Sequence, residues 1–218
     1  AVSAFTQSVY TTNCGVTGRT TVNQNLYVRP TYHLQKAFDD PSHLQEYGLM
    51  AAEADLSLLE QGKLSAGLKH LSYVIRVDVT LQEQNMTVNY MTIYPYLSNG
   101  QSRMVSGSGG FAINEPEYYF SSQSYNYYLA FGNSVAGGVG TGLQVDGDSF
   151  TAYLVAYAGM AKNFHVNSHE WTTFQSTDRM DVLVNTTLGG ITHVHNLGRY
   201  VKLENGNMYR LTIDLSDK

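Results

Sequence analysis

From Leu71 to Thr80 the chain alternates. Leu71, Tyr73, Ile75, Val77 and Val79 are apolar, and between them stand Ser72, Val74, Arg76, Asp78 and Thr80, polar but for Val74. Successive side chains of a β-strand point to opposite faces, so this spacing predicts a half-buried antiparallel strand. After a polar break at Gln82 to Asn85, the run Met86 to Tyr94 is rich in β-branched and aromatic residues and is expected to pair back as a hairpin. Near the other end, Glu204-Asn205-Gly206-Asn207 is a turn signal. It leads into Tyr209, Leu211, Ile213 and Leu215, alternating with Arg210, Thr212 and Asp214.

Shorter strand candidates are Thr21 to Val28, Phe150 to Tyr157, Asp181 to Asn185 and Arg199 to Leu203, each bounded by Gly, Asn, Asp or Ser. Many short strands of this kind predict a mostly β chain, an antiparallel β-sandwich. One short helix is expected where Asp40-Pro41 supplies a capping acid and a proline at the first helical position. It would run through Leu44 and Tyr47 toward Met50, with Gly48 weakening its continuation. The stretch Ser106-Gly107-Ser108-Gly109-Gly110 suggests a boundary between two small sandwiches in series, residues 1–106 and 107–218. The alternative is a single larger β domain with that stretch as a surface loop; 218 residues fit either.

Composition narrows the function. Charged residues make up 14% of the chain, against about a quarter in average soluble domains, while Tyr occurs 17 times and Gly 20 times. With a net charge of −5 and Lys and Arg spread singly, no basic stripe is present to neutralise a phosphate backbone, so nucleic acid is not expected as a partner. No apolar run reaches the length of a membrane helix, so no membrane span is expected in this chain. Its start at Ala1 rather than Met fits either processing after an export signal or trimming of the chain; processing is the favoured reading and places the expected site of action outside the cytoplasm. The single Cys14 excludes a disulfide framework and a thiolate metal site, and its flanks do not fit a lipidated cysteine.

The residues that could carry chemistry are few. His193 and His195 stand two apart and share a face if extended, and His165, His169 and Glu170 precede them; together they could ligate zinc or another imidazole-binding metal. The helical H-E-x-x-H pattern is absent, and loop or strand-edge histidines are the more economical reading, so neither a metal nor another cofactor is expected. Gly137 to Gly142 resembles a phosphate loop in composition but lacks the following Lys and helix. The serines among Ser106 to Gly109 lack a nucleophile elbow, and Glu115 and Glu117 are not marked as a catalytic pair. An enzyme is therefore the least favoured reading. The rings of Tyr118, Tyr119, Tyr125, Tyr127 and Tyr128 are of the kind that sugar-binding and protein-binding surfaces use, although alternation should send some into the core.

The segment Gly62-Lys63-Leu64-Ser65-Ala66-Gly67-Leu68-Lys69-His70-Leu71-Ser72-Tyr73-Val74-Ile75-Arg76-Val77-Asp78-Val79 resembles part of the fimbrillin-type pilins, in which a Leu-x-His stretch leads into an Ile-x-Val-x-Val strand. Leu203 to Leu215 is similar to that family's turn, aromatic and closing strand, and Ser149 to Ala158 to a strand of its C-terminal domain. The resemblance covers about a quarter of the chain. It implies a surface filament of β-sandwich subunits, joined when a strand of one subunit completes a groove in the next, with other pilin subunits as partners. The physics of such joining is β-augmentation. Tyr209, Leu211, Ile213 and Leu215 are the candidate polymerisation strand; the alternative is an ordinary closing strand of its own sheet. A carbohydrate-binding or host-adhesion module using the Tyr118 to Tyr128 surface is the second reading.

Overall fold

The structure is a computed structural model that describes residues 25–28, 33–47, 50–54, 66–70, 72–103, 105, 109–112, 118–120, 125–133, 140–156, 160–163, 166–170 and 173–217. The expected boundary residues 106–108 lie outside this set, as do His165 and Cys14. The chain is mostly β. In order, the first elements are β1 (Asn25–Val28), β2 (His33–Gln35), α1 (Leu44–Tyr47), β3 (Met50–Ala54), β4 (Ala66–His70), β5 (Tyr73–Thr80) and β6 (Thr87–Tyr96). Then come β7 (Gly109–Ala112), β8 (Tyr118–Phe120), β9 (Tyr127–Phe131), β10 (Leu143–Gln144), β11 (Ser149–Ala156), β12 (Met160–Asn163) and β13 (Val166–Glu170). The last are β14 (Thr173–Phe174), β15 (Arg179–Thr186), β16 (Gly189–Asn196), β17 (Val201–Lys202) and β18 (Met208–Asp214).

Two sheets form the sandwich. One has the order β16-β15-β6-β9-β2, with β10 also on β6; the other has the order β11-β5-β18. The remaining strands pair as β1-β7-β8, β12-β13, β14-β17 and β3-β4. Alternation works as the sequence implies: Tyr73, Ile75, Val77 and Val79 of β5 are all buried, with half-buried residues between them. They join one hydrophobic cluster with Leu154 of β11, Ile213 of β18, Ile93 of β6, Leu129 of β9 and Val182 of β15. Each apolar face covers the other and withdraws both from water, the main driving force for the fold. The pairing runs across residue 106, because β5 bonds to β11 and β18 while β6 bonds to β9 and β15.

The expected hairpin of β5 and β6 does not form: the two strands lie in opposite sheets. Val79 and Leu81 at the end of β5, and Met86 and Val88 at the start of β6, are all buried in the same cluster. Strands side by side cannot bury their apolar faces against each other, whereas strands in facing layers can. The connection is therefore an arch. Its backbone groups are satisfied by the chain before β11, through Leu81 N to Asp148 O (2.7 Å), Asn85 N to Gly147 O (2.7 Å) and Val145 N to Met86 O (2.8 Å). Asn85 takes a positive φ of 58° at the bend, a conformation Asn tolerates better than most residues.

The short helix expected after Asp40-Pro41 is present as a single turn, with Asp40 Oδ1 accepting from Ser42 N at 2.9 Å. Of the glycine-rich stretch 137–142, the described residues 140–142 are held by the backbone: Thr141 N bonds Asn133 O (3.0 Å) and Gly142 N bonds Phe131 O (2.9 Å). Gly140 is buried so closely that an added Cβ would overlap the Phe131 carbonyl oxygen.

Candidate functional site

The outer face of the larger sheet is lined with tyrosine. In β6, Tyr90, Tyr94 and Tyr96 are half-buried, while Met91, Ile93 and Pro95 face the core. Register places Thr92 opposite Tyr128 of β9, and Tyr94 and Tyr96 opposite Asp181 and Arg179 of β15. The rings of Tyr90 and Tyr128 stack with centroids 5.4 Å apart at 28°. The Arg179 guanidinium sits 5.0 Å over the Tyr96 ring and pairs with Asp181 at 3.1 Å. Asn89 Nδ2 donates to Asn185 Oδ1 at 3.0 Å on the same sheet. Aromatic rings beside paired charges and amides form a surface with little net charge and many hydrogen-bonding groups.

The predicted tyrosines are therefore divided. Tyr128 lies on this outer face and Tyr125 is 48% exposed. Tyr127 is instead a core residue, because its neighbour in β9 faces outward and alternation turns it inward. Its hydroxyl meets that of Tyr73 at 2.9 Å. Burial holds both phenols neutral and pushes their pKa values above the ordinary value of 10. Tyr118 and Tyr119 lie on β8, described in its backbone alone. Sequence reasoning missed Tyr90, Tyr94 and Tyr96, although their even spacing within a strand was a usable signal.

His193 and His195 both lie on β16, opposite Val182 and Met180, with ring centroids 6.4 Å apart. Burial lowers the pKa of His195, and the neighbouring His193 lowers it further. His169 is on β13, described in its backbone alone. Among the described residues no three His, Cys, Asp or Glu side chains come together as a metal-binding group.

The four outer strands of the sandwich differ in how their edges are treated. The β11 edge away from β5 is sealed by the segment around β2. Thr151 N donates to Asp39 Oδ1 (2.9 Å), and Thr151 O accepts from Asp39 N (3.1 Å) and Gln35 Nε2 (3.2 Å). Tyr153 N donates to Gln35 Oε1 (3.0 Å), Tyr153 O accepts from His43 Nε2 (2.8 Å), and Val155 N donates to His33 Nδ1 (3.4 Å). β2 itself has three residues. β18 runs parallel to β5 from Met208 opposite Val74 to Asp214 opposite Thr80, and no other described strand bonds it. Leu211, Ile213 and Leu215 are buried, and Tyr209 donates its hydroxyl to Lys202 O at 3.0 Å. On its outer side Arg210 pairs with Asp78, which also bonds Arg76 (2.9 Å) and Thr151 (2.9 Å). β16 has eight residues, none of them Asp, Glu, Lys or Arg, and bonds only β15 among the described strands.

Compared with protein-family models and with curated proteins, the chain matches none. Among the described residues no helix is long and apolar enough to cross a membrane.

Proposed function

We propose that the chain is a structural subunit of a cell-surface fimbria, working outside the cell, that assembles with like subunits by β-strand complementation and contributes to adhesion. The observation that carries this reading is the position of β18. Among the described strands it is an edge strand, hydrogen-bonded on one side to β5 and inserting Leu211 and Ile213 into the core, with Leu215 buried just past its end. A strand held by one neighbour can be exchanged for the same strand of another copy without a new kind of contact, because its backbone bonds and its apolar pockets are reproduced. The three segments that resemble fimbrillins support the same reading, since they contain β5, β11 and β18, the three strands of one sheet.

The test is a reversible lock. Arg76 and Arg210 are direct partners in the β5–β18 register, and adjacent strands lie about 5 Å apart, within disulfide reach. In a Cys14→Ser background, Arg76→Cys with Arg210→Cys, oxidised as the dilute monomer before assembly, ties β18 to its own subunit. Filaments or ladders longer than a dimer that do not form from the oxidised monomer and form once it is reduced support strand exchange. Ladders longer than a dimer from the oxidised monomer, or none from the reduced protein, overturn it.

The tyrosine face favours a second reading, recognition of a neutral glycan. The stacked Tyr90–Tyr128 pair offers the flat apolar surface a sugar ring packs on, and the neighbouring amides and hydroxyls suit its substituents. Glycan-dependent change of tyrosine fluorescence, lost in Tyr128→Ala, is the expected signature.

A further inference from the structure

We infer that the edge of β16, free among the described residues, is a self-association surface, where two copies of this chain pair antiparallel, β16 to β16, and join their larger sheets into one. An unpaired strand edge is a template for another chain, and proteins blunt such edges with short strands, charges, or covering segments. Three of the four outer strands of this sandwich carry one of those devices. β2 is only three residues long, the β11 edge is sealed by Gln35, Asp39, His33 and His43, and β18 presents Arg210 and Asp214. β16 has none among the described residues: it is eight residues long and carries no proline and no Asp, Glu, Lys or Arg.

Exposed apolar side chains also occur at this strand: Val194 (47%) lies on β16 itself and Leu188 (71%) in the turn that leads into it.

The occupant that fits is a second copy. A strand with no charged side chain meets itself without repulsion, and antiparallel pairing about a twofold axis gives each copy the same contacts. The pairing is independent of strand donation, since each subunit keeps its own β18.

Sedimentation velocity over a concentration series, with the intact chain, tests the proposal. A reversible dimer is expected, and each of Thr192→Lys and Val194→Lys, both at exposed positions, should weaken it about tenfold by setting like charges across the seam. Thermal unfolding confirms that the variants are folded. In the unaltered protein, amides of residues 189–196 should gain protection from hydrogen exchange as concentration rises. A monomer at every concentration, or a dimer indifferent to both lysines and without that protection, overturns the inference. The oxidised Arg76→Cys/Arg210→Cys protein separates the two ideas, because the lock blocks donation of β18 and leaves β16 free to pair.

Discussion

Gln35 and Tyr153 join the two sheets through one side chain: Gln35 Oε1 accepts the Tyr153 amide at 3.0 Å, while its Nε2 reaches Thr151 O at 3.2 Å. An amide side chain carries a donor and an acceptor, so Gln35 presents to the β11 edge the same pair of groups that a neighbouring strand would offer. The buried residue thus substitutes for backbone.

Gln35→Ala should therefore leave the buried Tyr153 amide without its partner, while Thr151 O keeps Asp39 N, and cost about 1–3 kcal/mol. Urea unfolding followed by circular dichroism reads the loss. Hydrogen exchange should show the amide of Tyr153 among the first to open, ahead of β5 in the sheet interior.

His33 gives the same seal a pH dependence. Burial, with His43 adding to it, lowers its pKa from 6.5 to about 3. Between those values the unfolded chain binds a proton that the folded chain does not. Stability from this group is complete above pH 6.5 and declines as pH falls toward 3, by about 1.4 kcal/mol per pH unit. His43 and Asp39 line the same edge, so the comparison must be made against one change at a time. Urea midpoints measured across this range should fall less steeply in His33→Asn, which keeps an acceptor for Val155.

Gly140→Ala places a methyl group against the Phe131 carbonyl, which is fixed in β9 and has no side-chain freedom with which to yield. A loss of about 3 kcal/mol is expected from the forced shift. Alanine at Gly147, where the added Cβ would meet nothing within 4 Å, tests backbone conformation alone, because φ there is 88°. That control should cost about 1 kcal/mol.

Tyr127→Phe removes one hydroxyl of the buried pair and leaves the Tyr73 hydroxyl without that partner, at a cost of about 1–3 kcal/mol. Because both folded pKa values lie above 10, stability is intact below pH 10 and declines as pH rises past it. Spectroscopic titration of the native protein should show these two phenols ionising only with unfolding.

Strand positions were largely legible, because period two is local. β5, β11 and β18 fall where alternation or β-branched runs placed them, within one or two residues. Partnership was not, since alternation tells which face is buried and says nothing of which strand lies beside it. Val79 and Val88 carry the same signal whether β5 and β6 are neighbours or facing layers. The sealed edge was hidden for another reason: His33, Gln35 and His43 are polar, and the sequence does not reveal that they are buried. Parity decided the tyrosines. Once β9 is fixed, Tyr127 and Tyr128 must separate, yet the sequence leaves open which one turns inward.

The parallel pairing of β18 with β5 has a cost in time. Met208 and Val74 are direct partners although roughly 130 residues separate them along the chain, and contacts so distant in sequence close late in folding. Until residues 208–214 have left the ribosome, β5 has only β11 beside it, and the hollow meant for Leu211 and Ile213 stays open. A nascent chain in that state exposes apolar surface and an unpaired strand together, the combination that recruits chaperones and feeds aggregation.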